Sequence, residues 1–227
     1  LVIVGAGIPG ICAAVQAARQ GLTVALINDR GVLGGNGSCE IHVNINGSSD
    51  GAPLNINSRE GGVVSEILTE YKYRSPVSNS RYVLDGVLLD IVGREPNIKL
   101  FLNTYVDDAE IDDNSTITSV SGSQNTTETR WRFTGSWFVD NTGDGTLGAL
   151  AGAEYMLGRE AKETFDEKIA PDKADKYVLP STLMFHAKDM GYEVPYKAPD
   201  FAFDIPSSGA LERRIIPQEK FHSACWY

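Results

Sequence analysis

The chain has 227 residues, enough for one large domain or one and a half small ones, and its 42% hydrophobic and 22% charged content is that of an ordinary soluble globule. A formal net charge of −10 argues against a nucleic-acid surface, which needs clustered Lys and Arg. No apolar run approaches the roughly 18 residues that span a bilayer.

Leu1 to Val4 is a short β-branched run of the kind that makes a buried parallel strand. Gly5, Gly7 and Gly10 follow with G-x-G-x-x-G spacing, and IPGICAAVQAARQG continues as an apolar-faced helix. A second strand, Leu22 to Ile27, completes a βαβ unit. In such a unit the first glycine permits the tight turn, the second lets the backbone approach a pyrophosphate, and the third lets helix and strand pack closely. The helix start adds free amide groups and partial positive charge. This pattern predicts dinucleotide binding. An acidic residue that binds a ribose hydroxyl is expected at the end of the second strand, where Asn28 and Asp29 stand.

GVLGGNGSCEIHVNINGSSDGAPLN then reads as a long functional loop. Ser58 to Tyr73 reads as a helix capped by Ser58, Leu84 to Val92 as another, and Ile98 to Asn103 as a buried strand. VDDAEI, TITSVSG and TRWRFTG form a predicted antiparallel meander. SWFVDNTGDG is a further strand entering a glycine turn, and helical periodicity resumes over Leu147 to Gly158. EAKETFDEKIAPDKADKY reads as charged and helical, followed by a proline-punctuated irregular region. The order predicts an α/β class: a Rossmann-like doubly wound domain with an inserted β-meander over 1–154, and the start of a second domain over 155–227. The chain begins inside a strand and ends in an apolar stretch, so the natural protein is expected to continue in both directions.

Cys12 reads as a small core residue, and Cys12, Cys39 and Cys225 show neither a C-x-x-C pair nor metal-ligand spacing.

VIVGAGIPG, LINDRGVLGGNGS and VDNTGDGTLGALAGAEYMLGRE, in that order, resemble the FAD-dependent oxidoreductases of the glutathione-reductase-like superfamily, and more narrowly a bacterial flavoprotein family. The resemblance also takes in INSREGG and REPNIKLFLNT. It implies FAD as cofactor, with Gly5, Ala6, Gly7, Pro9 and Gly10 lining its pyrophosphate. Family members commonly close the second strand with Glu; here Asn28, Asp29 and Arg30 occupy that place, and which of Asn28 and Asp29 meets the ribose stays open. By the same resemblance Gly34, Gly35, Asn36 and Ser38 pass the pyrophosphate and ribityl, and Val106 meets adenine through its backbone. Thr142, Gly143 and Asp144 close over the cofactor. A further C-terminal Gly-Asp segment, usual in the superfamily, is not found in the last sixty residues.

The implied chemistry is hydride transfer between a small polar organic substrate, carbohydrates and their acids included, and the flavin. On an extended segment from Ser38 to Asn46, Glu40 and His42 would share one face toward the ring. His42 is the candidate general base because imidazole ordinarily titrates near neutrality. Arg59, Arg159 and His186 are candidate substrate ligands. A nicotinamide-dependent dehydrogenase and a non-catalytic flavin-binding or empty fragment are the alternatives. Oligomeric state and compartment are not legible.

Overall fold

The computed structural model describes residues 1–45, 61–78, 80–178, 189–195, 197 and 200. The chain divides into two compact units, Leu1–Tyr155 and Met156–Tyr227.

The first unit opens as the sequence predicts. Strand β1 (Val2–Val4) leads into helix α1 (Ile8–Arg19) and strand β2 (Val24–Ile27). Helices α2 (Gly62–Arg74) and α3 (Arg81–Gly93) follow, then strand β3 (Ile98–Phe101). Helix α2 starts later than the expected Ser58: its N-cap is Gly61, with no side-chain cap, and Ser58 itself lies outside the described residues. Strands β4 (Thr104–Ile111), β5 (Ile117–Gln124) and β6 (Thr129–Thr134) make the expected antiparallel meander, in spatial order β4-β5-β6. Strand β7 (Phe138–Asp140) then returns to the parallel sheet, whose order is β3-β2-β1-β7. Val2, Ile3 and Val4 of β1 lie in register with Ala25, Leu26 and Ile27 on one side and with Phe138, Val139 and Asp140 on the other.

Because successive strand residues face opposite ways, β1 serves two cores. Ile3 packs with Ile11, Val15, Leu26, Leu84, Leu88 and Ile91 on the helical face. Val2 and Val4 pack with Ile27, Phe101, Val106, Val120 and Phe133 on the meander face. The second core centres on Phe101, whose ring meets Trp131 at 5.2 Å and Phe133 at 4.8 Å, both edge-on. Both faces of the sheet are therefore covered, as parallel strands require.

Two helical expectations fail. Periodicity over Leu147 to Gly158 yields only α4 (Thr146–Leu150). Gly152 takes φ +76°, its N–H reaches the Ala149 carbonyl, and the Ala153 N–H reaches that of Gly148. That pair of bonds is a Schellman closure, which ends the helix whatever the apolar pattern beyond it. In the second unit the charged stretch yields only α5 (Lys162–Phe165), stopped by Asp166 at φ +55°. Its charges pair across a loop instead: Arg159 bridges antiparallel to Asp175, and Lys162 bonds Asp172.

Phe101→Ala removes the ring on which the meander face rests. It is expected to lower unfolding stability by about 3–5 kcal/mol in urea titration. A loss below about 1 kcal/mol would mean the aromatic cluster is not the joint between meander and sheet.

Candidate functional site

The site forms where β1, β2 and β7 end. Gly5 adopts φ +99°, and a Cβ there would lie 2.1 Å from the Asn141 carbonyl oxygen. A Cβ on Gly10 would lie 2.0 Å from the Gly5 carbonyl oxygen, so the first turn of α1 rests directly on the strand end. Gly7 is different. Its φ of −64° suits any residue, and an added Cβ would meet only Pro9 Cδ, at 3.8 Å. Neither backbone strain nor protein packing demands glycine there.

No side chain caps α1 and no acidic residue lies in its first turn, so the helix start keeps its partial positive charge. The second glycine pair docks on the first. The Gly34 N–H donates to the Ala6 carbonyl at 2.8 Å, Gly7 and Gly34 form a parallel bridge, and a Cβ on Gly35 would lie 3.2 Å from Gly7 Cα. A short 3-10 turn, Gly35–Gly37, follows.

These segments wall a cleft of about 970 Å³, at the upper end of the usual range for ligand pockets. Of the candidate cofactor residues it is lined by Gly5, Ala6, Gly7, Pro9, Asn28, Asp29, Arg30, Gly34, Gly35, Asn36, Val106, Thr142, Gly143 and Asp144. Gly10 lies beneath it as the packing glycine. Ser38 is fully buried, is not among the lining residues, and accepts the Glu40 N–H. Arg30 is the one basic side chain among the described lining residues, and its guanidinium bonds Glu40 at 2.8 Å.

Asn28 is buried and turned into the protein. Its Oδ1 accepts the Ala6 N–H at 3.2 Å, and its Nδ2 donates to the carbonyls of Arg30 and Val32 at 3.1 and 2.8 Å. Asp29 is exposed in the cleft.

Sequence reasoning missed Asp140, two residues before the T-G-D-G turn. Its carboxylate accepts N–H bonds from Thr142 and Gly148 and the Thr142 hydroxyl, at 2.7 to 2.9 Å. The Thr142 hydroxyl in turn accepts the Thr146 N–H at 2.8 Å. Burial acts to raise the Asp140 carboxyl, but these donors outweigh it and hold the group below the usual carboxylate range. The signal was an Asp-x-Thr turn ahead of a helix, overshadowed by the more conspicuous Asp144. Asn141, Tyr105 and the 43–45 segment also line the cleft, and Asn44 accepts a hydrogen bond from Arg81 of α3.

The expected extended run from Ser38 does not exist. Residues 39–41 turn, the His42 N–H returns to the Ser38 carbonyl at 3.0 Å, and His42 takes φ +64°. Glu40 and His42 therefore do not share a strand face, and neither lines the cleft, although Val43, Asn44 and Ile45 do. The Cys39 thiol is pushed up to about 11, first by its hydrogen bond to Asp85 and then by burial. It is held as a neutral thiol at physiological pH, the opposite of a redox-active cysteine. Arg159 pairs with Asp175 and stands over the Tyr177 ring at 5.3 Å, in the second unit. Arg59, His186 and Cys225 lie outside the described residues.

The family model described as FAD dependent oxidoreductase matches residues 1–222. The chain belongs to that family. FAD is its cofactor, and the site fits it. Gly7 lines the cleft with only Pro9 Cδ near an added Cβ, and the uncapped helix start suits a pyrophosphate. The nicotinamide-only alternative gives way to this.

No curated protein sequence matches the chain. Among solved structures the FAD family chain is similar to an L-proline dehydrogenase from P. horikoshii, at 14% identity over 70% of this chain and 57% of that one, with a TM-score of 0.48. It is similar to a glycerol-3-phosphate dehydrogenase from Bacillus halodurans, at 14% identity over 66% of this chain and 36% of that one, with a TM-score of 0.42. It is also similar to THI4 of Thermovibrio ammonificans, at 18% identity over 76% and 74% of the two chains, with a TM-score of 0.43. The chain thus spans just over half of the first enzyme and about a third of the second. Among the described residues there is no helix long and apolar enough to cross a membrane and no cluster of three metal-ligating side chains.

Asp140→Ala leaves three donors without an acceptor and is expected to cost about 1–2 kcal/mol of stability at neutral pH. A lowered carboxyl contributes stability above its unfolded value and loses it as pH falls through the folded one. The deficit of the variant should therefore shrink below about pH 4. Thermal unfolding of both proteins across the acid range checks this; a pH-independent deficit would contradict it.

Proposed function

We propose that this chain provides the dinucleotide-holding part of an enzyme that transfers a hydride between a small polar organic substrate and FAD. The observation that supports this most is the double glycine cradle, in which Gly34 and Gly35 dock on the Gly5–Gly7 turn at the uncapped start of α1. Bound FAD supplies the hydride acceptor.

The chain's own residues do the rest. The amide groups at the start of α1 and along the two glycine turns bind the pyrophosphate, because the only basic side chain among the described lining residues is already paired. Thr142, Gly143 and Asp144 lie over the cofactor on a turn that Asp140 holds rigid. Val106 offers its backbone to the adenine. Asn36 and the 43–45 segment line the route from the pyrophosphate toward the flavin ring. His42 is proposed as the proton carrier because an imidazole can both take and give a proton and because it directly precedes the 43–45 segment that lines the cleft; Glu40 is held by Arg30. Arg59 and His186 are proposed to bind the substrate; Arg159, paired with Asp175, would have to give up that partner to do so.

The test is anaerobic bleaching of the visible flavin absorbance by a panel of carbohydrates, sugar acids and other small polar compounds. Bleaching by one of them, followed by turnover with an artificial electron acceptor, is the expected result. His42→Asn keeps a residue that tolerates positive φ, and should retain flavin while slowing turnover about 100-fold or more. A bound flavin that no compound reduces would contradict the catalytic reading, and unchanged turnover in the variant would remove His42 from it.

A further inference from the structure

The cleft wall over residues 34–45 is fastened in two different ways. At its start, Gly34 and Gly35 dock on the Gly5–Gly7 turn through backbone contacts. Beyond Gly37 the backbone bonds close the loop on itself. The His42 N–H returns to the Ser38 carbonyl at 3.0 Å, and the Val43 N–H to the Asn36 carbonyl at 2.8 Å. These two bonds give the loop a shape but do not tie it to the sheet or to a helix.

Helix α3 supplies that tie. Arg81, Asp85 and Leu88 stand at i, i+4 and i+7 and so share one face of the helix. Leu88 Cδ1 would lie 2.7 Å from a Cβ on Gly34. The Asp85 carboxylate accepts the Cys39 N–H with both oxygens, at 3.1 and 3.4 Å, and also receives the Cys39 thiol. Arg81 donates to the side-chain oxygen of Asn44. One helix face thus meets the wall at its start, its middle and its end. Asn44 lines the cleft with Val43 and Ile45, whereas Arg81, Asp85 and Cys39 do not, so α3 acts on the cleft through the loop.

Helix stability alone does not call for these residues. Asp85 and Gly86 are poor helix formers in the interior of α3, and Arg81 puts a cation in a first turn where the helix dipole disfavours one. We propose that Asp85, aided by Arg81, is a positioning residue that sets the 43–45 wall against the flavin half of the cofactor, independently of the glycine turns that hold the pyrophosphate. This role rests on the FAD reading of the cleft.

ADP carries only the half of the ligand that the glycine turns hold, so calorimetric titration with ADP and with FAD separates the two parts of the site. Asp85→Ala should keep its unliganded Tm within about 4 °C of the parent's, because alanine favours the helix. It should bind ADP as the parent does and FAD about tenfold more weakly. Asp85→Asn keeps an oxygen for the Cys39 N–H and should recover most of the FAD affinity. Arg81→Ala, which leaves Cys39 alone, should weaken FAD in the same direction with ADP unchanged. A further arm needs no nucleotide. The Cys39 thiol, pushed up to about 11 beside Asp85, should alkylate slowly in the parent and about tenfold or more faster in Asp85→Ala, as read by peptide mass spectrometry at about pH 8. Unchanged labelling would mean that Asp85 does not hold the turn and would overturn the proposal. Parent-like FAD affinity in both alanine variants, or equal losses of ADP and FAD, would overturn the positioning role. A parent chain that binds ADP but no FAD overturns the flavin reading and this role with it, and the labelling arm then distinguishes that failure from loss of the anchor.

Discussion

Everything at the site depends on how closely three pieces of backbone approach one another. The Gly5–Gly10 turn, the end of β7 at Asn141 and the Gly34–Gly35 turn meet with no room for a side chain at Gly5 or Gly10, where a Cβ would fall about 2 Å from a carbonyl oxygen. That approach fixes the direction of α1 and the place of its amide-rich start. It also allows β1 to pair with β2 and β7 at once. The cleft-lining turn and the centre of the sheet are therefore one construction, and a change at either glycine disturbs both.

The rest of the first unit supports that construction from two sides. Helices α1 to α3 bury the Ile3 face of β1, and the meander, through Phe101, Trp131 and Phe133, buries the Val2 and Val4 face. A rigid, doubly covered sheet is a good platform for a site built from backbone rather than side chains. This also resolves an apparent conflict. A chain with net charge −10 whose described cleft lining holds one already paired basic side chain can still receive a pyrophosphate. The positive end is supplied by peptide dipoles, which do not enter the formal charge.

The parts legible in the sequence were those enforced locally. Glycine spacing, β-branched runs and strand alternation are short-range patterns with short-range causes, so β1, α1, β2 and the meander read out directly. Three kinds of feature did not. Helix stops depended on a left-handed residue, Gly152 or Asp166, overriding periodicity further along. Residue alternation from Ser38 to Asn46 predicts an extended run, whereas Ser38 is buried and the chain turns back on its carbonyl. The inward turn of Asn28 and the clamp at Asp140 depend on backbone groups brought from elsewhere in the fold. A side chain's partner is a tertiary fact, and the residue type alone does not announce it.

Gly7 offers the most direct test, because the protein itself does not require glycine there. Its φ is ordinary and an added Cβ would meet only Pro9 Cδ, so the fold does not demand glycine there, whereas a cofactor lying against the turn would. The measurement is the FAD affinity and unliganded Tm of Gly7→Ala beside the parent chain. The account predicts a Tm within about 3 °C of the parent's and FAD binding weakened at least about tenfold, some 1.4 kcal/mol. An alanine variant that binds FAD as tightly as the parent would mean that the cofactor does not lie against this turn, and would contradict the account at its centre.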